Sequence, residues 1–206
     1  AKLCPDGKTY VSRIPPSCKF AACPTTTATP RPIFSPTPAP TPPVKLIRFS
    51  NDLKVYEVTE ENQIKWVPSV DVFDQLGLDW QNVTVEPPSK ASQYQRVKLI
   101  RAEGDAKVYY ITEGGLKRHI PNPIVFLSYG NRWSDVVSVK PFELSVIPDN
   151  LLIREEGKPE VYKLENGTKR WVKTAEIFNR LGLKWNEIAL ANSIELESYP
   201  VGMPIE

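Results

Sequence analysis

From Val44 to Glu206 one pattern occurs three times, which restricts this stretch to an array of similar small units. Leu46-Ile47-Arg48 returns as Leu99-Ile100-Arg101 and Leu152-Ile153-Arg154, and Val55-Tyr56 as Val108-Tyr109 and Val161-Tyr162, at an interval of 53. The columns Trp66/His119/Trp171, Phe73/Phe126/Phe178, Gly77/Gly130/Gly182 and Trp80/Trp133/Trp185 follow, spaced 53 and then 52. Self-similarity at such a period marks a repeat architecture. The copies occupy residues 44–96, 97–150 and 151–206. Catalysis normally needs one asymmetric cluster of groups, whereas threefold repetition builds a scaffold or a set of equivalent surfaces.

Each copy carries local signals for the same elements. In the third, Val161-Tyr162-Lys163-Leu164 and Lys169-Arg170-Trp171-Val172 flank Asn166-Gly167. That dipeptide between alternating apolar residues is the strongest short hairpin signal. Gly114-Gly115 takes the same place in the second copy and Glu60-Glu61-Asn62-Gln63 in the first, where the turn is looser. A short helix follows. Ser69, Asn122 (before Pro123) and Thr174 are its cap residues, and Val72, Phe73 and Leu76, or Ile177, Phe178 and Leu181, form its apolar face. The column glycines stop it. A strand then runs through Val83-Thr84-Val85, Val136-Val137-Ser138-Val139 or Ile188-Ala189-Leu190. A lone 53-residue unit has a poor surface-to-volume ratio, so the copies either share a core or form tight beads around their aromatics.

Two other zones precede the copies. Residues 1–23 hold all three cysteines, Cys4, Cys18 and Cys23. A small cysteine-dense segment suits an oxidising compartment, and an odd count leaves one thiol unpaired or bridging to another molecule. The spacing C-x13-C-x4-C is not a metal-ligand pattern. Residues 24–43 contain eight prolines and six threonines. They favour extended polyproline II, a semi-rigid arm of roughly 60 Å at about 3.1 Å per residue. Thr25, Thr26, Thr27, Thr29, Thr37 and Thr41 are candidate O-glycosylation sites. Ile33 and Phe34, the arm's bulky apolar pair, are the candidate assembly contact. The expected fold class is α+β and β-rich: three tandem repeats of β-hairpin, short helix and strand, after a cysteine segment and an extended Pro/Thr-rich arm.

Composition excludes more than it selects. Charge is nearly balanced, with 26 basic and 24 acidic residues, so no global field points to nucleic acid. No apolar run approaches the roughly 18 residues that span a bilayer. The start at Ala1 fits a removed secretory signal or a trimmed chain. The single histidine, His119, stands where the other copies have tryptophan and reads as an aromatic-sized filler. Glu113-Gly114-Gly115-Leu116-Lys117 lacks phosphate-loop spacing, and Asp71, Asp74, Asp79 and Glu86 do not recur as a set. No enzyme, cofactor or metal is expected.

Binding candidates remain. Trp80, Trp133 and Trp185, with Tyr56, Tyr109 and Tyr162, are potential sugar-stacking platforms, but their invariance across the copies favours core positions. Lys65, Arg118 and Arg170 each precede the Trp/His column. Strand neighbours face opposite sides, so with the aromatic buried these cations point outward as a recognition column for acidic glycans or a neighbouring subunit's carboxylates. Asn82-Val83-Thr84 and Asn166-Gly167-Thr168 match the N-glycosylation sequon, with Asn166 the better exposed.

Two resemblances follow. Asp6-Gly7-Lys8-Thr9-Tyr10 with Cys18-Lys19-Phe20-Ala21-Ala22-Cys23 resembles the second half of a Kazal-type module. The upstream cysteines that frame its inhibitory loop are missing, so protease inhibition is not carried over. The pattern V-Y-x4-G-x-K-R-W-V then F-x3-G-x2-W-x2-I, from Val161 to Ile188, resembles tandem repeats of secreted, surface-associated bacterial proteins. That resemblance implies an extracellular, non-enzymatic role. The expected function is a structural subunit of an extracellular fibre or surface layer, self-associating through residues 1–43. The alternative is a stalked module that binds glycans or cell-wall polymers, for which a threefold β-trefoil lectin is the specific fold; the expected helices argue against that fold.

Overall fold

The computed structural model describes residues 1–23 and 44–206. They belong to two compact units, Ala1–Pro42 and Pro43–Glu206. In the first, β1 (Lys2–Leu3) pairs with β2 (Tyr10–Val11), and β3 (Arg13–Ile14) with β4 (Lys19–Phe20), all antiparallel. Cys4 and Val11 are its buried apolar residues. A Cys4–Cys23 disulfide closes it, in place of a larger core. Cys18 is free and exposed.

The second unit is mixed α+β and strand-rich, and its elements fall into three successive sets that share three strands, a helix and a further strand but end differently. The first set is β5 (Lys45–Phe49), β6 (Val55–Val58), β7 (Gln63–Val67), α1 (Val70–Gln75), β8 (Val83–Glu86) and β9 (Gln95–Arg96). The second is β10 (Leu99–Ala102), β11 (Tyr109–Ile111), β12 (Lys117–His119), α2 (Pro123–Ser128), β13 (Val136–Val139) and α3 (Pro141–Ser145). The third is β14 (Leu152–Glu155), β15 (Val161–Glu165), β16 (Thr168–Val172), α4 (Ala175–Arg180), β17 (Ala189–Ala191) and α5 (Ser193–Ser198). The sheet orders are β8-β5-β6-β7-β9, β13-β10-β11-β12 and β17-β14-β15-β16. Three antiparallel strands run consecutively. The helix then crosses to the far edge, where β8, β13 or β17 lies parallel to the first strand of its set, and β9 adds a parallel strand beside β7 in the first sheet.

The paired Leu-Ile at the start of each set shows why these sheets form. Both residues are buried although strand neighbours face opposite sides, so each sheet is covered on both faces. Leu46 packs with Val55, Val67 and Phe73 beneath α1; Ile47 packs with Phe49, Tyr56 and Ile64 on the other face, beneath Ala91 and Tyr94. Leu99 and Ile100, then Leu152 and Ile153, divide in the same way. The second cover comes from a 3₁₀ turn, Pro88–Gln93, in the first set, and from α3 and α5 in the others.

They also join one set to the next. α3 places Leu144 on its own sheet while Phe142 packs against the α1-side cluster of the first sheet. α5 puts Leu196 on its own sheet, and its cap residue Asn192 donates from Nδ2 to Ser128 Oγ of α2 at 2.8 Å.

Two glycine roles differ. Gly77, Gly130 and Gly182 adopt φ between +65° and +70° after the first helices, ending them with a left-handed residue. Gly115, at φ +80°, lies in the β11–β12 turn, and a Cβ there would stand 3.0 Å from the Trp66 ring. The tryptophan of one set thus rests on the turn of the next. Gly115→Ala is expected to cost about 1–3 kcal/mol, because strain and clash combine. Urea unfolding should show this loss, and little change for Gly114→Ala, whose nearest neighbour is Thr112 Oγ1 at 3.8 Å.

Candidate functional site

The column tryptophans lie at the surface. Each follows the helix-stopping glycine by three residues and opens a 3₁₀ turn: Trp80–Asn82, Trp133–Asp135 and Trp185–Glu187. This lays the indole flat on the helix phenylalanine, with ring centroids 3.9, 3.9 and 4.0 Å apart and interplanar angles of 19°, 11° and 27°. The phenylalanines are fully buried, whereas Trp80, Trp133 and Trp185 remain 50 %, 55 % and 53 % exposed. The expectation of core positions is therefore corrected. One face of each indole lids the core and the rest meets water. Tyr56 is buried, and Tyr109 and Tyr162 are partly buried against the opposite faces of their sheets.

In the third set a cleft of 290 Å³ opens beside the platform, lined by Pro159, Glu160, Trp171, Lys173, Phe178 and Trp185 among others. Trp171 is exposed, whereas Trp66, which rests on Gly115, is partly buried. An apolar ring wall with a carboxylate and an ammonium at its margin can stack a sugar ring and hydrogen-bond its hydroxyls.

The cation column is also corrected. Lys65 and Arg118 point inward, because α3 and α5 cover the face on which they stand. Lys65 forms ion pairs with Glu57, its cross-strand partner, and with Glu143 of α3 at 2.9 Å. Burial acts to lower the Lys65 pKa, and the two carboxylates outweigh it and hold the ammonium above its ordinary value. Arg118 is 4 % exposed and sits 3.0 Å from Glu195 of α5, itself 1 % exposed. Glu195 also accepts from the Tyr129 and Tyr199 hydroxyls, and both phenols are pushed up, first by burial. Arg170 is partly buried, 2.7 Å from Glu165, and donates to the Met203 carbonyl at 2.8 Å. The column ties the structure together and presents no free row of charge.

The other candidates separate. Asp71, Asp74 and Asp79 are exposed, while Glu86 is buried and accepts from Tyr94, so no carboxylate pair forms. His119 is exposed beside Tyr109, with ring centroids 5.5 Å apart, and burial and Lys107 lower its pKa. Asn82 and Asn166 are both exposed. Thr25, Thr26, Thr27, Thr29, Thr37, Thr41, Ile33 and Phe34 lie outside the described residues. Among the described residues, no cluster of three His, Cys, Asp or Glu is placed to hold a metal, and no helix is long and apolar enough to cross a membrane.

No family model matches the chain, and no curated protein matches it. One solved structure, the periplasmic assembly from the ESX-5 inner membrane complex, is similar at a TM-score of 0.27 and 14 % identity. The match covers 82 % of this chain and 48 % of that one. At that level nothing about fold or function is carried from it.

Proposed function

We propose that this protein is a non-enzymatic extracellular repeat protein that binds a glycan or cell-wall polymer through Trp80, Trp133 and Trp185. The observation that carries this reading is the half-exposed indole stacked on a buried phenylalanine in each of the three sets. A lid for the core does not need so large an apolar ring left in water, whereas a stacking platform does. Three equivalent platforms suit a ligand that repeats, such as a polysaccharide, because linked weak contacts raise avidity without new chemistry. Chito-oligosaccharides or soluble peptidoglycan fragments added to the full chain should shift tryptophan emission saturably. Emission unmoved by either, with the chain folded by circular dichroism, would count against the proposal.

The fibre reading has one observation in its favour, the exposed free Cys18 on the disulfide-closed segment, available for a bridge between chains. Its arm, residues 24–43, lies outside the described residues.

A further inference from the structure

The junctions between successive sets are not equivalent. At the first, Lys65 stands between two carboxylates, Glu57 and Glu143, and the adjoining cavity measures 30 Å³. At the second, Arg118 replaces Lys65 and Glu195 replaces Glu143, but the cross-strand partner corresponding to Glu57 is Tyr110. One carboxylate is missing. In its place lies a cleft of 270 Å³, lined by Lys98, Tyr110, Arg118, Tyr129, Asn131 and Leu190 among others, with Glu195 at its buried side. A second space of 300 Å³ adjoins it through Tyr110 and Leu190.

The guanidinium is underused there. Nε has an ionic contact with Glu195, yet neither Nε nor Nη1 has a hydrogen bond of proper geometry. Its carbon lies 5.4 Å from the Tyr110 ring centroid. Buried polar groups are normally satisfied, and a planar guanidinium matches a carboxylate in two-point contact. The acids facing the cleft are already engaged. Glu195 is held by Arg118 and two tyrosines, and Glu113, in the adjoining space, pairs with Lys98 at 3.6 Å and Arg96 at 3.5 Å.

We infer that the cleft between the second and third sets binds a small ring-bearing carboxylate, such as a uronic acid, whose carboxylate occupies the place that Glu57 fills at the first junction. Arg118 receives the carboxylate, Tyr110 and Leu190 supply the apolar wall for the ring, and Asn131 is available to a hydroxyl. This site is separate from the tryptophan platforms and does not depend on them.

The test uses the full chain, titrated with D-glucuronate and with neutral D-glucose at equal ionic strength, and followed by ¹H–¹⁵N NMR including the Arg118 Nε–H. Glucuronate is expected to shift Tyr110, Arg118 and Asn131 saturably, and glucose to bind on the order of tenfold more weakly or not at all. Tyr110→Glu restores the internal carboxylate found at the first junction. It should keep the fold and weaken glucuronate at least about tenfold, since ligand and side chain then compete for one cation. Equal binding of glucose, no saturable shift with glucuronate, or unchanged affinity in Tyr110→Glu would each overturn the inference. The triple variant Trp80→Ala/Trp133→Ala/Trp185→Ala should keep its glucuronate response, which distinguishes failure here from failure of the polymer-binding proposal.

Discussion

Glu195→Ala is expected to destabilise the protein by about 3–5 kcal/mol, because it strands a buried guanidinium without its carboxylate. Arg118 is 4 % exposed, Glu195 is 1 % exposed, and the pair joins β12 of the second set to α5 of the third. Tyr129 and Tyr199 lose their acceptor in the same substitution. Chemical denaturation should show more than a lower midpoint. With the tie removed, the third set should unfold at lower urea than the first two, splitting one transition into two, as expected of modules joined by nearest-neighbour interfaces. The double variant Arg118→Met/Glu195→Leu should recover most of the loss, since an apolar pair of similar volume often equals or exceeds a buried ion pair. A double variant as unstable as Glu195→Ala would show that the damage comes from lost packing rather than unpaired charge.

Phe178→Ala is the second large effect. Phe178 fills the centre of the cluster formed with Leu152, Val161 and Val172, and Trp185 lies on its outer face at 4.0 Å. Truncating a buried phenylalanine typically costs about 3–5 kcal/mol through lost burial and the cavity left behind. For a chain of this size that corresponds to a fall in Tm of roughly 10 °C by circular dichroism. Trp185→Ala should cost only about 1–2 kcal/mol, since half of that ring is already in water. The contrast separates the two members of the stack. If both substitutions cost the same, the tryptophan serves the core and its platform role is lost.

Local structure was legible where local chemistry decides it. Asn166 and Gly167 both take positive φ between the paired Glu165 and Thr168, giving the tight turn expected of that dipeptide. Ser69, Asn122 and Thr174 each accept a backbone N–H at a helix start. What depends on packing between sets was not legible. The outward cation column assumed a sheet open on one face, and α3 and α5 close that face. Nothing in Pro141–Ser145 or Ser193–Ser198 read alone as a helix with a partner, since each is a single short turn stabilised by two sheets at once. A signal was present in the paired Leu-Ile of each first strand, because consecutive buried residues need cover on both sides. The exposure of the tryptophans is hidden from the sequence for a related reason. Threefold recurrence marks burial no better than it marks a surface used three times.

The most direct test of polymer binding through the column tryptophans is co-sedimentation of the full chain with insoluble chitin and with purified peptidoglycan, comparing wild type with single, double and triple Trp→Ala variants at positions 80, 133 and 185. Polymer binding through the indoles predicts retention of the wild type and a stepwise loss of roughly two- to tenfold for each platform removed, in proteins still folded by circular dichroism. Wild-type and triple-variant chains that sediment to the same extent would contradict it.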